Sequence, residues 1–222
     1  MESRIRKHQL FEIYQDGRRI FTKSILPGKV HFEERIFREH DEEYREFDPL
    51  HSKLAATIVK GCPNIGLRKG NVVLYLGASH GYTCSFVSDI VGKEGLIFAL
   101  DHAPRVLRDL VFLAEDRENI VPIIADANQP ATYLDKVSAV DVVYQDVAQR
   151  NQAEIFLKNC QLFLKKGGYG LLSIKARSID VKQKPAILFK EARAMLEKEL
   201  TIVDFRPLDP LEKDHCMIIV KK

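Results

Sequence analysis

Five short apolar runs in this chain each lead into residues capable of chemistry. The runs are VVLYL (72–76), LIFAL (96–100), IVPII (120–124), VDVVY (140–144) and GYGLLSI (168–174). Close behind the first comes the turn Gly77-Ala78-Ser79-His80-Gly81-Tyr82-Thr83. Behind the next three come Asp101 with His102, Asp126 with Ala127, and Asp146 with Val147, Ala148 and Gln149; Lys175 follows the last. Open α/β sheets bind ligands outside the carboxyl ends of their strands, so these positions carry the functional argument.

Gly77 and Gly81, with no third glycine, fall short of the dinucleotide fingerprint that admits a pyrophosphate. Asp101 stands 20 residues beyond Gly81, where a carboxylate can accept from both hydroxyls of a ribose. Together with Asp126 it suits a nucleoside without a diphosphate, and S-adenosylmethionine meets that description. Strand-end aspartates also serve as turn formers and helix caps, but three along one edge favour a site. Lys53 opens the helical segment KLAATIVKG, which runs back along the first strand and so begins level with its end. His215 opens the last apolar run and reaches the same edge if that strand is antiparallel. Lys53, Asp146, Lys175 and His215 therefore converge from four distant parts of the chain. An ammonium that ends an apolar strand needs a carboxylate, and Asp146 is the expected partner of Lys175.

The elements that must position these groups are legible as an alternation. Nearly continuous β-branched runs suit strands buried on both faces of a parallel sheet. Between them, SFVSDIVG, PRVLRDLVFLAED and NQAEIFLKNCQLFLKKGG have helical spacing, the last expected to end at Lys165-Lys166-Gly167. A further helix, PAILFKEARAMLEKEL, precedes TIVDFRPL and CMIIVKK, whose short connection implies an antiparallel final strand. The expectation is a doubly wound, Rossmann-like α/β domain over residues 51–222, mostly parallel. Residues 1–50 are expected to form a small β-rich domain. There Asp16-Gly17 turns a hairpin, VHFEERIF adds a strand, and the acidic stretch 39–48 leads to a boundary at Asp48-Pro49.

Composition narrows the class. The chain has 222 residues, 45% hydrophobic and 29% charged, the balance of a globular protein rather than a disordered one. No apolar stretch approaches the roughly 20 residues of a membrane span, so no membrane partner is expected. The N-terminal sequence has no apolar run after its basic residues, and a cytoplasmic chain is expected. Cys62, Cys84, Cys160 and Cys216 are scattered without metal or redox spacing, which implies reduced, structural thiols and no metal. The net charge is only +3, yet residues 158–193 hold 9 basic residues against Asp180 and Glu191. Such a patch would suit a phosphate backbone.

These residues resemble fibrillarin, in its short archaeal form. The resembling segments are SKLAA (52–56), YLGASHGYT (75–83), VSDIVG (87–92), APRVLRDL (103–110), ENIVPI (118–123), DVAQRNQAE (146–154), LKKGGYG (164–170), IKARSIDV (174–181) and EKDH (212–215). They follow the family's order across nearly all of residues 50–222, and residues 1–50 resemble its small β domain more loosely. The resemblance implies a class I methyltransferase sheet and an S-adenosylmethionine-dependent 2′-O-methyltransferase of rRNA and tRNA, directed by a C/D-box guide RNA. It also implies a Nop-type scaffold protein and a kink-turn-binding ribosomal-type protein as partners. By similarity, Gly77, Ala78, Tyr82, Thr83, Asp101, His102, Asp126, Ala127 and the run from Asp146 to Gln149 line the cofactor site. Lys53, Asp146, Lys175 and His215 match the family's proposed catalytic set. The sequence departs from the usual pattern at His80 (Ser), Tyr82 (Thr), Asp101 (Glu), Ala125 (Gly), Gln145 (Glu) and Arg150 (Pro). Bulky Tyr82 is expected to crowd the methionine end of the site. Two other classes use the same fold: a methyltransferase acting on a protein or small molecule, and a non-catalytic RNA-binding scaffold.

Overall fold

The structure is a computed structural model that describes residues 4–222; the first three residues of the expected N-terminal unit lie outside the described residues. Two sheets organise it. The smaller is antiparallel, built from β1 (Arg6–Lys7), β2 (Tyr14–Asp16), β3 (Arg19–Lys23), β4 (Ile36–Glu39) and β5 (Glu42–Glu46) in the order β1-β2-β3-β5-β4. Gly17, at φ 60°, turns the β2–β3 hairpin where the Asp-Gly dipeptide placed it. The segment VHFEERIF forms strand only at its end, in β4. The acidic stretch behind it contains β5. Alternate residues of β5 point inward, and there Glu43 and Arg45 are buried by pairing rather than by being apolar.

The larger sheet contains β6 (Val72–Leu76), β7 (Leu96–Asp101), β8 (Ile120–Ile124), β9 (Val140–Gln145), β10 (Leu164–Lys175), β11 (Thr201–Pro207) and β12 (His215–Lys221). Its order is β11-β12-β10-β9-β6-β7-β8. Strands β6 to β10 are parallel, and β12 runs antiparallel to both β10 and β11, as the short connection before it demands. Helices α1 (Lys53–Val59), α2 (Tyr82–Val91), α3 (Pro104–Asp116), α4 (Gln152–Phe163), α5 (Ala176–Ile179) and α6 (Pro185–Leu196) complete the layers. Two apolar cores lie on the two faces of this sheet. The chain builds β6, β7 and β8 outward on one side, then returns to β9 and β10 on the other, so the sheet reverses direction between β6 and β9. That reversal is where open α/β sheets leave a crevice.

One boundary differs from expectation. Helix α4 ends at Phe163 rather than at the Lys165-Lys166-Gly167 run, and β10 starts at Leu164. Lys222 supplies the cap that the lysine run was expected to give. Lys222 donates its Nζ to the carbonyls of Cys160 and Gln161 at 2.8 and 2.9 Å, and its own carbonyl accepts from Gly167.

The two sheets are joined through buried charge. Arg45 reaches from β5 to Asp89 of α2 at 2.6 Å and to Glu34 at 2.7 Å, with no solvent exposure on any of the three side chains. Its guanidinium lies 4.2 Å from the centre of the Phe86 ring, and Phe86 stacks on Phe47. Arg117, behind α3, holds the other oxygen of Asp89 at 2.8 Å, and the Thr22 hydroxyl of β3 donates to the same carboxylate. Leu10, Ile13, Ile20 and Phe47 join the core under the larger sheet. Removing one member of a buried charge pair leaves its partner uncompensated, at about 3–5 kcal/mol. Arg45→Met should therefore lower the Tm by about 6–20 °C, measured by calorimetry. Glu34 adds an acid limit. Burial pushes its carboxyl up, but Arg45 and backbone N–H donors, Phe32 among them, together outweigh burial and the net shift is below the ordinary 4.5. Its contribution is complete above that pH and lost as pH falls through the depressed value, so acid unfolding of the Arg45 variant should lack this component.

Candidate active site

At the reversal, the carboxyl ends of β6, β7, β8 and β9 enclose a cavity of about 250 Å³. Gly77 and Ser79 line it from the first, Leu100, Asp101 and His102 from the second, and Ala125 and Ala127 from the third. Asp146, Val147, Ala148 and Gln149 supply the fourth wall. The turn after β6 must pass close to the loop after β9. Gly77 has φ 81°, and a Cβ there would lie 2.4 Å from the Asp146 carbonyl oxygen, so only glycine fits. Gly81, at φ 95°, opens α2, and a Cβ there would meet Leu113 of α3 at 2.5 Å.

The chemistry of the lining is specific. Asp101 is held by two backbone amides, Ser79 N–H to Oδ2 at 2.9 Å and Ala103 N–H to Oδ1 at 3.0 Å. Each carboxylate oxygen keeps a further lone pair, which is what a vicinal diol requires. Leu100, Ala125, Ala127 and Val147 give an apolar surface for a flat ring, and Asp146 adds a second carboxylate. A cavity lined by two carboxylates and no lysine or arginine repels a diphosphate and accepts a nucleoside carrying positive charge. These residues fit S-adenosylmethionine.

The expected catalytic residues fall at the same edge, with different pairings. Lys53, first residue of α1, bonds Asp146 Oδ2 at 3.0 Å. Asp146 therefore belongs to Lys53 and not to Lys175. The pleat of β10 turns Ile174 inward and leaves Lys175 exposed, with no ion pair among the described residues. Burial depresses the Lys53 ammonium, but Asp146, with a smaller contribution from Glu212, overrides it and lifts its pKa above 10.5. Lys53 stays protonated. Lys175 and His215 stand opposite each other in the β10–β12 ladder. His215 is 8% exposed, and its Nδ1 lies 2.7 Å from the Lys213 carbonyl. A carbonyl only accepts, so Nδ1 carries a proton, and in the neutral ring the lone pair is therefore on Nε2. The Glu212 carboxylate is 4.0 Å from the same Nδ1, which makes it a member of the cluster that residue type and spacing alone did not single out.

Of the expected cofactor-lining residues, Gly77, Asp101, His102, Ala127, Asp146, Val147, Ala148 and Gln149 face the cavity. Four do not. Ala78 is buried, and its N–H donates to the Leu100 carbonyl. Asp126 closes a turn by accepting from Asn128 N–H, and Thr83 donates to Ser52, the N-cap of α1. Tyr82 does not crowd the cavity, because its ring packs among Phe32, His51 and Phe86. Burial pushes its hydroxyl up to about 12. Ser79, Leu100 and Ala125 line the cavity without having been singled out; Ser79 could have been found as the one other turn residue facing Asp101.

Comparison with known proteins agrees with this geometry. The family model for fibrillarin matches residues 1–222. A fibrillarin-like rRNA/tRNA 2′-O-methyltransferase of Methanocaldococcus jannaschii is 49% identical, over 97% of this chain and 96% of that protein. The crystal structure of Aeropyrum pernix fibrillarin with natively bound S-adenosyl-L-methionine has a TM-score of 0.89 at 43% identity, covering 97% of each chain. The crystal structure of a fibrillarin/Nop5p complex also has a TM-score of 0.89, at 38% identity, covering 97% of this chain and 100% of that one. A family match over the whole length, on a sheet of this order with this carboxylate-lined crevice, settles membership: the chain belongs to the fibrillarin family.

Proposed function

We propose that this chain transfers a methyl group from S-adenosylmethionine to ribose 2′-hydroxyls of rRNA and tRNA, as the catalytic subunit of a C/D-box ribonucleoprotein. The observation that carries this reading is the carboxylate-lined cavity beside the Lys53–Asp146 pair and the Lys175–His215 rung. Asp101 would hold the ribose hydroxyls of the cofactor, and Asp146 its amino group or ribose. When bound, that cofactor supplies a methyl group already activated on a sulfonium.

The remaining work belongs to the chain: to align a hydroxyl with the methyl and to receive one proton. Alignment of well-oriented reactants is worth up to about 7–11 kcal/mol. Lys53, which stays protonated, fixes Asp146 and with it the start of the cavity's fourth wall. Lys175, exposed at the end of β10, would meet the incoming hydroxyl. Nε2 of His215, its neighbour across the ladder, is then the lone pair that receives the proton as the oxygen–methyl bond forms and the carbon–sulfur bond breaks.

Guide–target pairing would choose the nucleotide, with the protein contacting backbone and shape. Lys166, Lys182, Lys184 and Lys190 lie within the basic segment, are exposed, and form no ion pair among the described residues, which suits a phosphate backbone. For the Nop-type scaffold we favour the opposite edge, where Val111 and Phe112 of α3 and Ile124 of β8 are exposed. A kink-turn-binding protein would complete the particle. We place the activity in the cytoplasm, whose reducing poise suits four unpaired, buried cysteines.

The direct test is tritium transfer from labelled S-adenosylmethionine, with and without guide RNA and the scaffold proteins, followed by mapping of the modified nucleotide. Transfer that ignores the guide would point to a protein or small-molecule acceptor. In the complete particle, His215→Ala should reduce kcat by about 10²–10⁴-fold, the usual span for a proton-transfer group, and Lys175→Ala should reduce it as well. Asp146→Ala should lower kcat and weaken cofactor binding together. Undiminished transfer by folded variants would refute these roles. Gly77→Ala should leave the far-UV spectrum intact and weaken cofactor binding by at least about tenfold in calorimetry, because the added methyl displaces the Asp146 loop.

A further inference from the structure

We infer that Gln152 is a positioning residue: its side-chain amide clamps the backbone of Lys175 to the cofactor-side loop, setting both halves of the reaction in register. The inference rests on the proposed methyl transfer and deepens it.

The two strands that carry the site do not end together. Strand β9 pairs with β10 only as far as Gln145 opposite Leu172, then leaves the sheet as the loop 146–149 that walls the cavity. Strand β10 continues for three more residues, held on its other side by β12. The backbone groups of Lys175 that face the departed strand would otherwise have no partner in the sheet. Gln152, fully buried at the start of α4, takes the place of the missing strand. Its Oε1 accepts from Lys175 N–H at 3.0 Å, and its Nε2 donates to the Lys175 carbonyl at 3.2 Å. A primary amide offers the same donor and acceptor as a peptide unit, so this is a ladder rung built from a side chain. The second hydrogen of Nε2 goes to the Gln149 carbonyl at 2.7 Å, in the cavity wall. Gln145, the last residue of β9, then donates its own Nε2 to the Gln152 carbonyl at 2.7 Å.

One buried amide therefore touches the residue proposed to meet the hydroxyl and the loop proposed to hold the donor. It contacts neither reactant, and its effect would be transmitted by position. Two carbonyls face Nε2 and one N–H faces Oε1, so the orientation of the amide is fixed by its partners. Glutamate has the same shape but no donor when ionised, and would point a carboxylate oxygen at both carbonyls.

The test uses the complete particle with Gln152→Glu and Gln152→Met. The expected result is a fall in kcat of about tenfold to hundredfold in both, with a raised KM for S-adenosylmethionine and an unchanged KM for target RNA. The glutamate variant should recover relative to wild type as pH is lowered, because protonation returns one donor, and the methionine variant should not. Loss of Tm in both variants with wild-type kcat and KM would overturn the inference, as would identical pH responses of the two. Calorimetric cofactor affinity of the same variants judges the clamp without any transfer. An inactive wild-type particle would therefore refute the methyl-transfer reading while the clamp is still decided.

Discussion

Where β6 and β9 part, the chain must bring two loops together without closing the space above them. The Gly77 backbone lies so near the Asp146 carbonyl that no side chain fits between, and everything functional hangs from that approach. It sets Asp146 at the start of one wall of the crevice, within 3.0 Å of Lys53 on a helix that begins far earlier in the chain. It also fixes the direction of the loop 146–149, which forms one wall. Strand β9 stops pairing with β10 at Gln145, and the Lys175 backbone takes the Gln152 side chain as its partner instead. The sheet reversal supplies the cavity, and hydrogen bonds of side chains to backbone supply its edges.

Two charge clusters in this molecule illustrate opposite uses of an ion pair. Arg45, Glu34, Asp89 and Arg117 are sealed from solvent, where desolvation offsets much of the Coulomb attraction and the pairing chiefly dictates which surfaces fit. That cluster joins the small sheet to α2 and has no route to a ligand. Lys53 and Asp146 keep 27% and 21% of their side-chain surfaces exposed, at the rim of the crevice. There a ligand can compete with or complement the pair. Similar residues are structural in one place and chemical in the other because of what remains open beside them.

The larger sheet was readable because its strands are continuous apolar runs and the residues after them are polar. Long-range periodicity of this kind survives any local detail. Strand β5 was not, because Glu42, Glu43, Arg45 and Glu46 show no apolar alternation, and the burial of Glu43 and Arg45 depends on distant partners. The end of α4 was misjudged for a related reason: its cap comes from Lys222, remote in sequence from the helix. At the site, the edge on which Lys53, Asp146, Lys175 and His215 meet followed from topology alone. The partner of Asp146 did not, because topology places backbones while the pleat decides which side chains turn inward. Tyr82 shows the same limit, since its place in the turn says nothing of the aromatic niche that takes its ring away from the cavity.

The protonation states narrow the reaction further. Lys53 is surrounded by carboxylates and retains its proton well beyond neutral pH, so it orients and does not accept. Asp146 spends one oxygen on that ammonium. Asp101 spends both of its oxygens partly on backbone amides, which suits a holder of hydroxyls more than a base. His215 is anchored through Nδ1 and keeps a lone pair at Nε2 on the rung shared with Lys175. A sulfonium donor needs little help to leave, so a site of this kind gains most from holding the oxygen in line and least from a strong base. The hydrogen bonds on either side of the crevice agree with that: backbone amides hold Asp101, and the Gln152 amide holds the backbone of Lys175 and Gln149.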